Sequence, residues 1–178
     1  AVITDHFHHG YFNSLTGSWT QKIDCFLSGY RAACEAGAQA GLHIYCGLEF
    51  RTTTSDNDYL LFGATPELLY STPELHRYTI PQLRTGLTRE DPALLDGVEV
   101  FNGNARHDSH NDDALRFARE NGLLFFSGSD HHETEDRGRG GMVLPREPKD
   151  EADLVRLLPS AGLLPDILLE FFPVKPEK

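Results

Sequence analysis

Cysteine is scarce in this sequence: its 178 residues include only Cys25, Cys34 and Cys46, with no Cys-x-x-Cys spacing. An odd number of unpaired cysteines argues against a disulfide framework or a zinc knuckle, and it favours a reducing cytoplasmic setting. Long apolar runs are also missing, since no stretch reaches the roughly 18 residues that a membrane-spanning helix needs. With no secretory signal visible, we expect a cytoplasmic protein that does not act at a membrane.

Basic residues are few as well. Lysine and arginine number 16 against 27 aspartates and glutamates, which gives a formal net charge of −11. A protein that coats duplex nucleic acid needs a basic surface, so this function is not expected. An acidic chain binds phosphate through metal ions or a few placed arginines rather than through its overall field. The hydrophobic share of 39% is ordinary for a globular protein, and the length fits a single domain over residues 1–178.

Apolar segments alternate with amphipathic ones, which predicts an α/β protein with a mainly parallel sheet or barrel. Thr65, Asn111 and Asp150 are predicted N-caps, and Gly41 and Gly122 are predicted to end their helices. Strands are predicted at 1–4, 42–50, 59–62, 97–101 and 123–127, helices at 21–40, 65–70, 72–77, 111–121 and 150–158, a long loop at 7–20, and a frayed tail at 165–178.

Side chains that can bind metal follow three of the predicted strands. His6 follows the first strand, Glu49 lies near the end of the second, and residues 128–132 (Gly-Ser-Asp-His-His) follow the strand at 123–127. Because the carboxyl ends of parallel strands share one face, we expect these side chains to gather there. Carboxylates and neutral imidazoles together suit Zn²⁺, Mn²⁺ or Fe²⁺. A single strand-end residue of this kind is usually a cap or a surface group, but three strand ends favour a metal site.

Several short motifs resemble those of the PHP (polymerase and histidinol phosphatase) domain family. Residues 3–6 (Ile-Thr-Asp-His) resemble the family's ITDH motif, residues 47–50 its G-x-E strand, and residues 128–132 its closing GSDxH motif. Residues 95–102, followed by 111–114, resemble the strand and helix that lead to the closing motif. Three motifs in the correct order on predicted strand ends form a fairly specific pattern.

The resemblance implies a distorted seven-stranded β/α barrel that binds up to three divalent metal ions (Zn, Mn or Fe). It also implies hydrolysis of a phosphate ester by a metal-activated water, with Glu49, Asp130 and His132 as the catalytic residues. The implied substrate is a small phosphomonoester or a short nucleotide. Asp5 is expected to orient His6 by contacting its side chain, without binding the metal itself. The implied metal ligands are His6, Glu49, Asp130 and His132.

Three further residues are candidates for binding the substrate. Arg137 and Arg139 lie in the loop after the closing motif, and arginine suits two-point contact with phosphate. His8 is expected to line the pocket or to donate a proton. Glycines within residues 133–141 favour a mobile loop, as in a substrate lid, and a solvated surface loop is the alternative.

The sequence also departs from the family's pattern. An H-x-H motif upstream of residues 3–6 is missing, no His-Pro occurs near residues 87–92, and Asp58 is the nearest oxygen ligand where a family histidine is unmatched. Either segments of a longer protein complete the site, which we favour, or the domain is degenerate and binds metal or a partner without catalysis. An amidohydrolase-like enzyme with His6 and His8 as its H-x-H pair is a third hypothesis, whose bridging lysine is unmatched.

Overall fold

The computed structural model describes residues 1–54, 57–79, 82, 95–106 and 108–164. The chain forms two compact units: the first unit comprises Ala1–Thr88 with Pro148–Arg156, and the second unit Arg89–Glu147 with Leu157–Lys178. The described strands are β1 (Val2–Ile3), β2 (His6–His8), β3 (Tyr45–Arg51), β4 (Asp58–Phe62), β5 (Gly97–Asn102), β6 (Leu124–Gly128), β7 (Met142–Val143) and β8 (Gly162–Leu163). The described α-helices are α1 (His9–Ser14), α2 (Trp19–Phe26), α3 (Ser28–Ala40), α4 (Pro66–Ser71), α5 (Asn111–Asn121) and α6 (Glu151–Leu157), and 3₁₀ turns lie at Leu75–Arg77, Thr134–Asp136 and Leu158–Ser160.

The sheet of the first unit is built around β3. β1 and β2 pair with β3 in parallel, and β4 pairs with it antiparallel. Leu48 and Phe50 of β3 are fully buried, as is Phe7 of β2. The register sets Phe7 opposite Phe50 and His6 opposite Glu49.

An aromatic cluster covers this sheet, in a segment that the sequence predicts to be a loop. Residues 7–20 instead contain most of β2, all of α1 and the start of α2, so the loop prediction is wrong. The ring centre of Phe7 lies 4.5 Å from that of Phe12 and 5.0 Å from that of Phe26. Trp19 donates from Nε1 to the Leu69 carbonyl at 2.8 Å. Burial of the aromatic side chains therefore outweighs the local preference of the Gly, Ser and Thr residues for a loop.

The predicted helix at residues 21–40 is two helices. α2 begins early, because Ser18 and Gln21 form a capping box, and Leu27 separates α2 from α3. Gly41 ends α3 with a φ of 70°, as predicted.

The second unit contains the parallel pair of β5 and β6 and the antiparallel pair of β7 and β8. Val100, Leu115, Ala118 and Leu163 form its buried core. Leu115 and Ala118 are the buried residues of α5. Gly97 lies so close to its neighbours that an added Cβ atom would be 2.1 Å from the Phe126 ring.

Besides Gly41, three predicted helix signals are confirmed, and one is wrong. The Thr65 side chain caps α4, Asp150 accepts the Asp153 N–H at 2.7 Å at the start of α6, and Gly122 ends α5. Asn111 is not the N-cap of α5 but its first residue. Its side chain bonds to the backbone of Asn102 instead, accepting the N–H at 3.0 Å and donating to the carbonyl at 3.3 Å.

The predicted seven-stranded β/α barrel is wrong. The described strands form one four-stranded sheet and two strand pairs, and they close no barrel. The connection between β3 and β4 explains part of this difference. Only residues 52–57 separate the two strands, whereas a parallel crossover needs about a dozen residues or more. β4 therefore returns antiparallel to β3.

Some predictions fall outside the described residues. These are the region around residues 87–92, where the sequence lacks the family's His-Pro dipeptide, and the tail at 165–178. Among the described helices, none is long and apolar enough to cross a bilayer. The single domain over residues 1–178 stays a prediction.

His76 is the most deeply buried histidine of the first unit, with 1% of its surface exposed. Its ring stacks on Phe12 at 4.9 Å and on Trp19 at 5.6 Å, and the His9 ring lies 5.8 Å away. No described residue hydrogen-bonds its Nδ1. Desolvation lowers the pKa of His76, an effect that Glu74 opposes and that Arg77, His9 and Lys22 reinforce.

We expect acid to destabilise the protein through His76. Because its folded pKa is lowered, the unfolded chain binds the proton more readily. The stabilising contribution is therefore complete above the unfolded pKa of about 6.5 and is lost as pH falls from there through the folded value. Melting temperatures followed by Trp19 fluorescence should fall between about pH 7.5 and pH 5.

His76→Phe keeps an aromatic ring in the stack and should flatten this dependence. His131→Gln, at an exposed histidine, is the matched control and should keep it. An unchanged acid slope in His76→Phe would assign the effect to another group.

Candidate functional site

The first candidate pair lies in the first unit, where β2 and β3 run side by side. Their register sets His6 opposite Glu49, and the Glu49 N–H donates to the Asp5 carbonyl at 3.1 Å. The Nδ1 atom of His6 lies 3.2 Å from Oε2 of Glu49, and the two side chains are 51% and 21% exposed. An accessible imidazole thus lies beside a mostly shielded carboxylate, and both can donate electron pairs to a cation.

Strand alternation explains why these two side chains meet outside the core. Phe7 in β2, and Leu48 and Phe50 in β3, are fully buried. Successive side chains of a strand point to opposite faces, so His6 and Glu49 must face away from those apolar neighbours. The hydrophobic core therefore fixes the face on which the pair is displayed.

Two other side chains near the first pair are engaged with the protein. The His8 ring centre lies 6.0 Å from that of His6, and its Nδ1 accepts the Tyr11 N–H at 3.2 Å as the N-cap of α1. Asp58 is held across the sheet by Arg51, whose Nε donates to Oδ1 of Asp58 at 2.7 Å. The substrate-binding role of His8 stays a prediction.

The second candidate pair lies in the second unit, directly after β6. The Nδ1 atom of His132 is 3.2 Å from Oδ1 of Asp130, and the side chains are 49% and 21% exposed. Asp130 has a φ of 45°, a left-handed conformation that residues other than glycine rarely adopt. Nδ1 of His132 also lies 3.0 Å from the Asp130 carbonyl oxygen. A turn, rather than strand register, creates this pair.

Sequence reasoning missed the polar side chains that contact the second pair. Asn104 is 6% exposed and donates from Nδ2 to Oδ2 of Asp130 at 3.1 Å. Asp136 is 2% exposed and accepts the His132 N–H at 2.8 Å. Asparagine and aspartate after a strand usually mark a turn, so the sequence does not distinguish these two residues from loop caps.

The chemistry and spacing of both pairs fit a divalent metal ion. Imidazole nitrogen and carboxylate oxygen bind zinc at about 2.0–2.2 Å. Neighbouring corners of a tetrahedron with such bonds are roughly 3.3 Å apart, and both pairs show a separation of 3.2 Å. Each pair thus offers one nitrogen and one oxygen donor at a separation that a hydrogen bond between the two side chains also gives.

The four predicted ligands fall into these two pairs, one in each unit. Within the part of the chain that the structure describes, no group of three or more His, Cys, Asp or Glu side chains is placed to hold a metal ion. The convergence of all four ligands on one metal cluster stays a prediction, and so does the orientation of His6 by Asp5.

The loop that carries the two candidate arginines has defined contacts. Arg139 donates from Nε to the Glu135 carbonyl at 2.9 Å. It also lines a cleft of about 760 Å³ that Asn104 borders. Arg137 is exposed. The substrate-binding roles of Arg137 and Arg139 stay predictions.

Glycines dock this loop on the end of β6. A Cβ atom added to Gly140 would lie 1.9 Å from the Gly128 carbonyl oxygen. The neighbouring Gly141 N–H donates to Oγ of Ser127 at 3.1 Å. The glycines that the sequence associates with loop mobility therefore allow close packing beside Asp130.

The fold is of the α/β type, with one imidazole–carboxylate pair on the paired strands β2 and β3 and a second pair directly after β6. Residues 108–160 match a family model described as PHP-associated. This match confirms the predicted resemblance to the PHP-domain family, and its range includes the second pair, Arg137 and Arg139. No curated protein and no solved structure gives a significant match to the chain.

Replacing Gly140 by alanine should lower the free energy of unfolding by about 1–3 kcal/mol, the usual range for overpacking. The added methyl group would collide with the Gly128 carbonyl and push the loop off β6. Thermal unfolding of the variant and the wild type measures the effect. Gly162→Ala is the matched control, because its added Cβ meets no atom within 4 Å. Equal stability of the two variants would contradict the close docking.

Proposed function

We propose that this chain is a metal-dependent phosphoesterase domain that hydrolyses a small phosphomonoester or a short nucleotide. The observation that carries the proposal is the 3.2 Å separation between imidazole nitrogen and carboxylate oxygen in both candidate pairs. The motif resemblance to PHP domains, which implies this activity, and the PHP-associated match at residues 108–160 support it.

In this proposal the two pairs hold divalent metal ions. Glu49 and Asp130 supply carboxylate ligands, and His6 and His132 supply imidazole ligands. A bound divalent ion lowers the pKa of water and offsets negative charge on the phosphoryl oxygens. The water oxygen forms a bond to phosphorus, the P–O ester bond breaks, and the leaving oxygen receives a proton from the water. The products are an alcohol and phosphate.

Arg137 and Arg139 are proposed to bind the phosphoryl oxygens. A guanidinium group presents paired donors that match two oxygens of one phosphate. The cleft of about 760 Å³ that Arg139 lines is large enough for a small molecule, but Asp130 and His132 are not among its lining residues. The net charge of −11 disfavours a long polyanion, so a small substrate is the better fit.

A metal-binding or interaction domain without catalysis is the second candidate. Catalytic zinc sites commonly use three protein ligands, whereas the described residues offer no group of three. A degenerate domain of this kind would bind metal through its pairs and hydrolyse no substrate. Metal affinity without phosphatase turnover is its signature.

Glu49→Gln and His132→Ala test the proposed ligands directly. Each substitution removes one ligand atom from its pair and should therefore lower Mn²⁺ affinity by more than about tenfold. Replacing a residue that only contacts a metal ligand already lowers metal affinity by about 10–100-fold. Titration calorimetry measures the affinity. Hydrolysis of p-nitrophenyl phosphate with added Mn²⁺ should be lost in both variants.

Two matched controls separate the ligands from their neighbours. Glu120→Gln changes an exposed carboxylate on α5, and His131→Ala changes an exposed histidine next to His132. Both should retain affinity and hydrolysis. Unchanged Mn²⁺ affinity in Glu49→Gln and His132→Ala would refute the proposed site. Wild-type Mn²⁺ binding without hydrolysis would favour the non-catalytic candidate.

A further inference from the structure

A buried carboxylate lies behind the second pair. Asp136 is 2% exposed, and its Oδ2 accepts the backbone N–H groups of His132 and Glu133, each at 2.8 Å. Arg106 contacts the same carboxylate at two points, from Nη1 to Oδ1 at 3.0 Å and from Nη2 to Oδ2 at 2.9 Å. These contacts make Asp136 a fully partnered anchor.

Arg106 connects this anchor to both members of the second pair. Its side chain reaches His132 through Asp136. Its backbone N–H donates to Oδ1 of Asn104 at 3.0 Å, and Nδ2 of Asn104 donates to Oδ2 of Asp130 at 3.1 Å. Arg106 thus fixes both the backbone of His132 and the side chain of Asp130.

We infer that Asn104, Arg106 and Asp136 are positioning residues that set the distance between Oδ1 of Asp130 and Nδ1 of His132 for metal binding, an inference that rests on the proposed function. The contacts are of the type that tunes metal ligands, because outer partners fix ligand orientation. A planar guanidinium with two donors holds a carboxylate more rigidly than an ammonium group does.

Asp136→Asn is the main test. It preserves the shape of the side chain but replaces one acceptor oxygen by an amide donor that faces Arg106 or the loop N–H groups. Co²⁺ affinity should fall by about 10–100-fold. The visible absorption spectrum of bound Co²⁺, which reports ligand geometry, should change as well. Arg106→Lys is a milder second variant that keeps the charge but loses the two-point contact, and it should give a smaller loss.

Asp153→Asn is the matched control for a purely structural effect. Asp153 is 3% exposed, accepts the Lys149 N–H at 3.1 Å and contacts Arg156 at 3.2 Å. Its substitution should lower the melting temperature, as we also expect for Asp136→Asn, yet leave Co²⁺ affinity and spectrum unchanged. A parallel loss of Co²⁺ affinity in Asp153→Asn would reduce the role of Asp136 to general stability and overturn the inference.

Asp130→Asn separates failure of the inference from failure of the proposed function. Wild-type Co²⁺ affinity in Asp136→Asn and Arg106→Lys, together with lost affinity in Asp130→Asn, would overturn the positioning role alone. Wild-type affinity in Asp130→Asn as well would overturn the proposed function, and the inference with it. A double variant, Asp136→Asn with Arg106→Lys, should lose little more than Asp136→Asn, since the two residues act as one unit.

Discussion

The pairing of β2 with β3 is the constraint on which the first candidate pair depends. Phe7 and Phe50 face each other in this register, are fully buried and lie 6.0 Å apart between ring centres. A shift of one residue would turn Phe7 to the solvent face and His6 to the core face. Burial of a polar group without partners costs about 1–3 kcal/mol in proteins. The packing of the aromatic core therefore selects the register that brings His6 beside Glu49.

The second unit reaches the same donor geometry by other means. β6 ends at Gly128, and the pair follows in a turn in which Asp130 is left-handed. A residue in this conformation persists only where its surroundings determine it. Here Asn104 holds the carboxylate of Asp130, and Asp136 holds the backbone of His132. In the second unit, hydrogen bonds to the buried Asp136 carboxylate and from Asn104 thus fix the pair, whereas apolar packing between strands fixes the pair of the first unit.

The sequence predicts elements well where hydrophobic periodicity is strong and poorly where packing decides. β3 and α5 agree closely with their predicted ranges, because their apolar residues repeat at strand and helix spacing. Residues 7–20 were mispredicted, because burial of Phe12 outweighs a local composition that is typical of loops. The antiparallel direction of β4 follows from the short connection between β3 and β4, which cannot be inferred from motif resemblance. The candidate ligands could be named from their positions after strands, but Asn104 and Asp136 could not, since only the folded loop gives them their partners.

The exposure of the two pairs argues that they are not primarily stabilising contacts. In each pair the histidine is about half exposed, at 51% and 49%, and the carboxylate is 21% exposed. Ion pairs at exposed positions contribute only about 0–1 kcal/mol to stability. The carboxylates of Asp136 and Asp153 differ, because they are buried and accept backbone N–H groups that would otherwise lose their partners. Under the proposed function, the same exposure would give a metal ion a path from solvent to each pair. The buried carboxylates therefore hold the backbone, whereas the exposed pairs contribute little to stability.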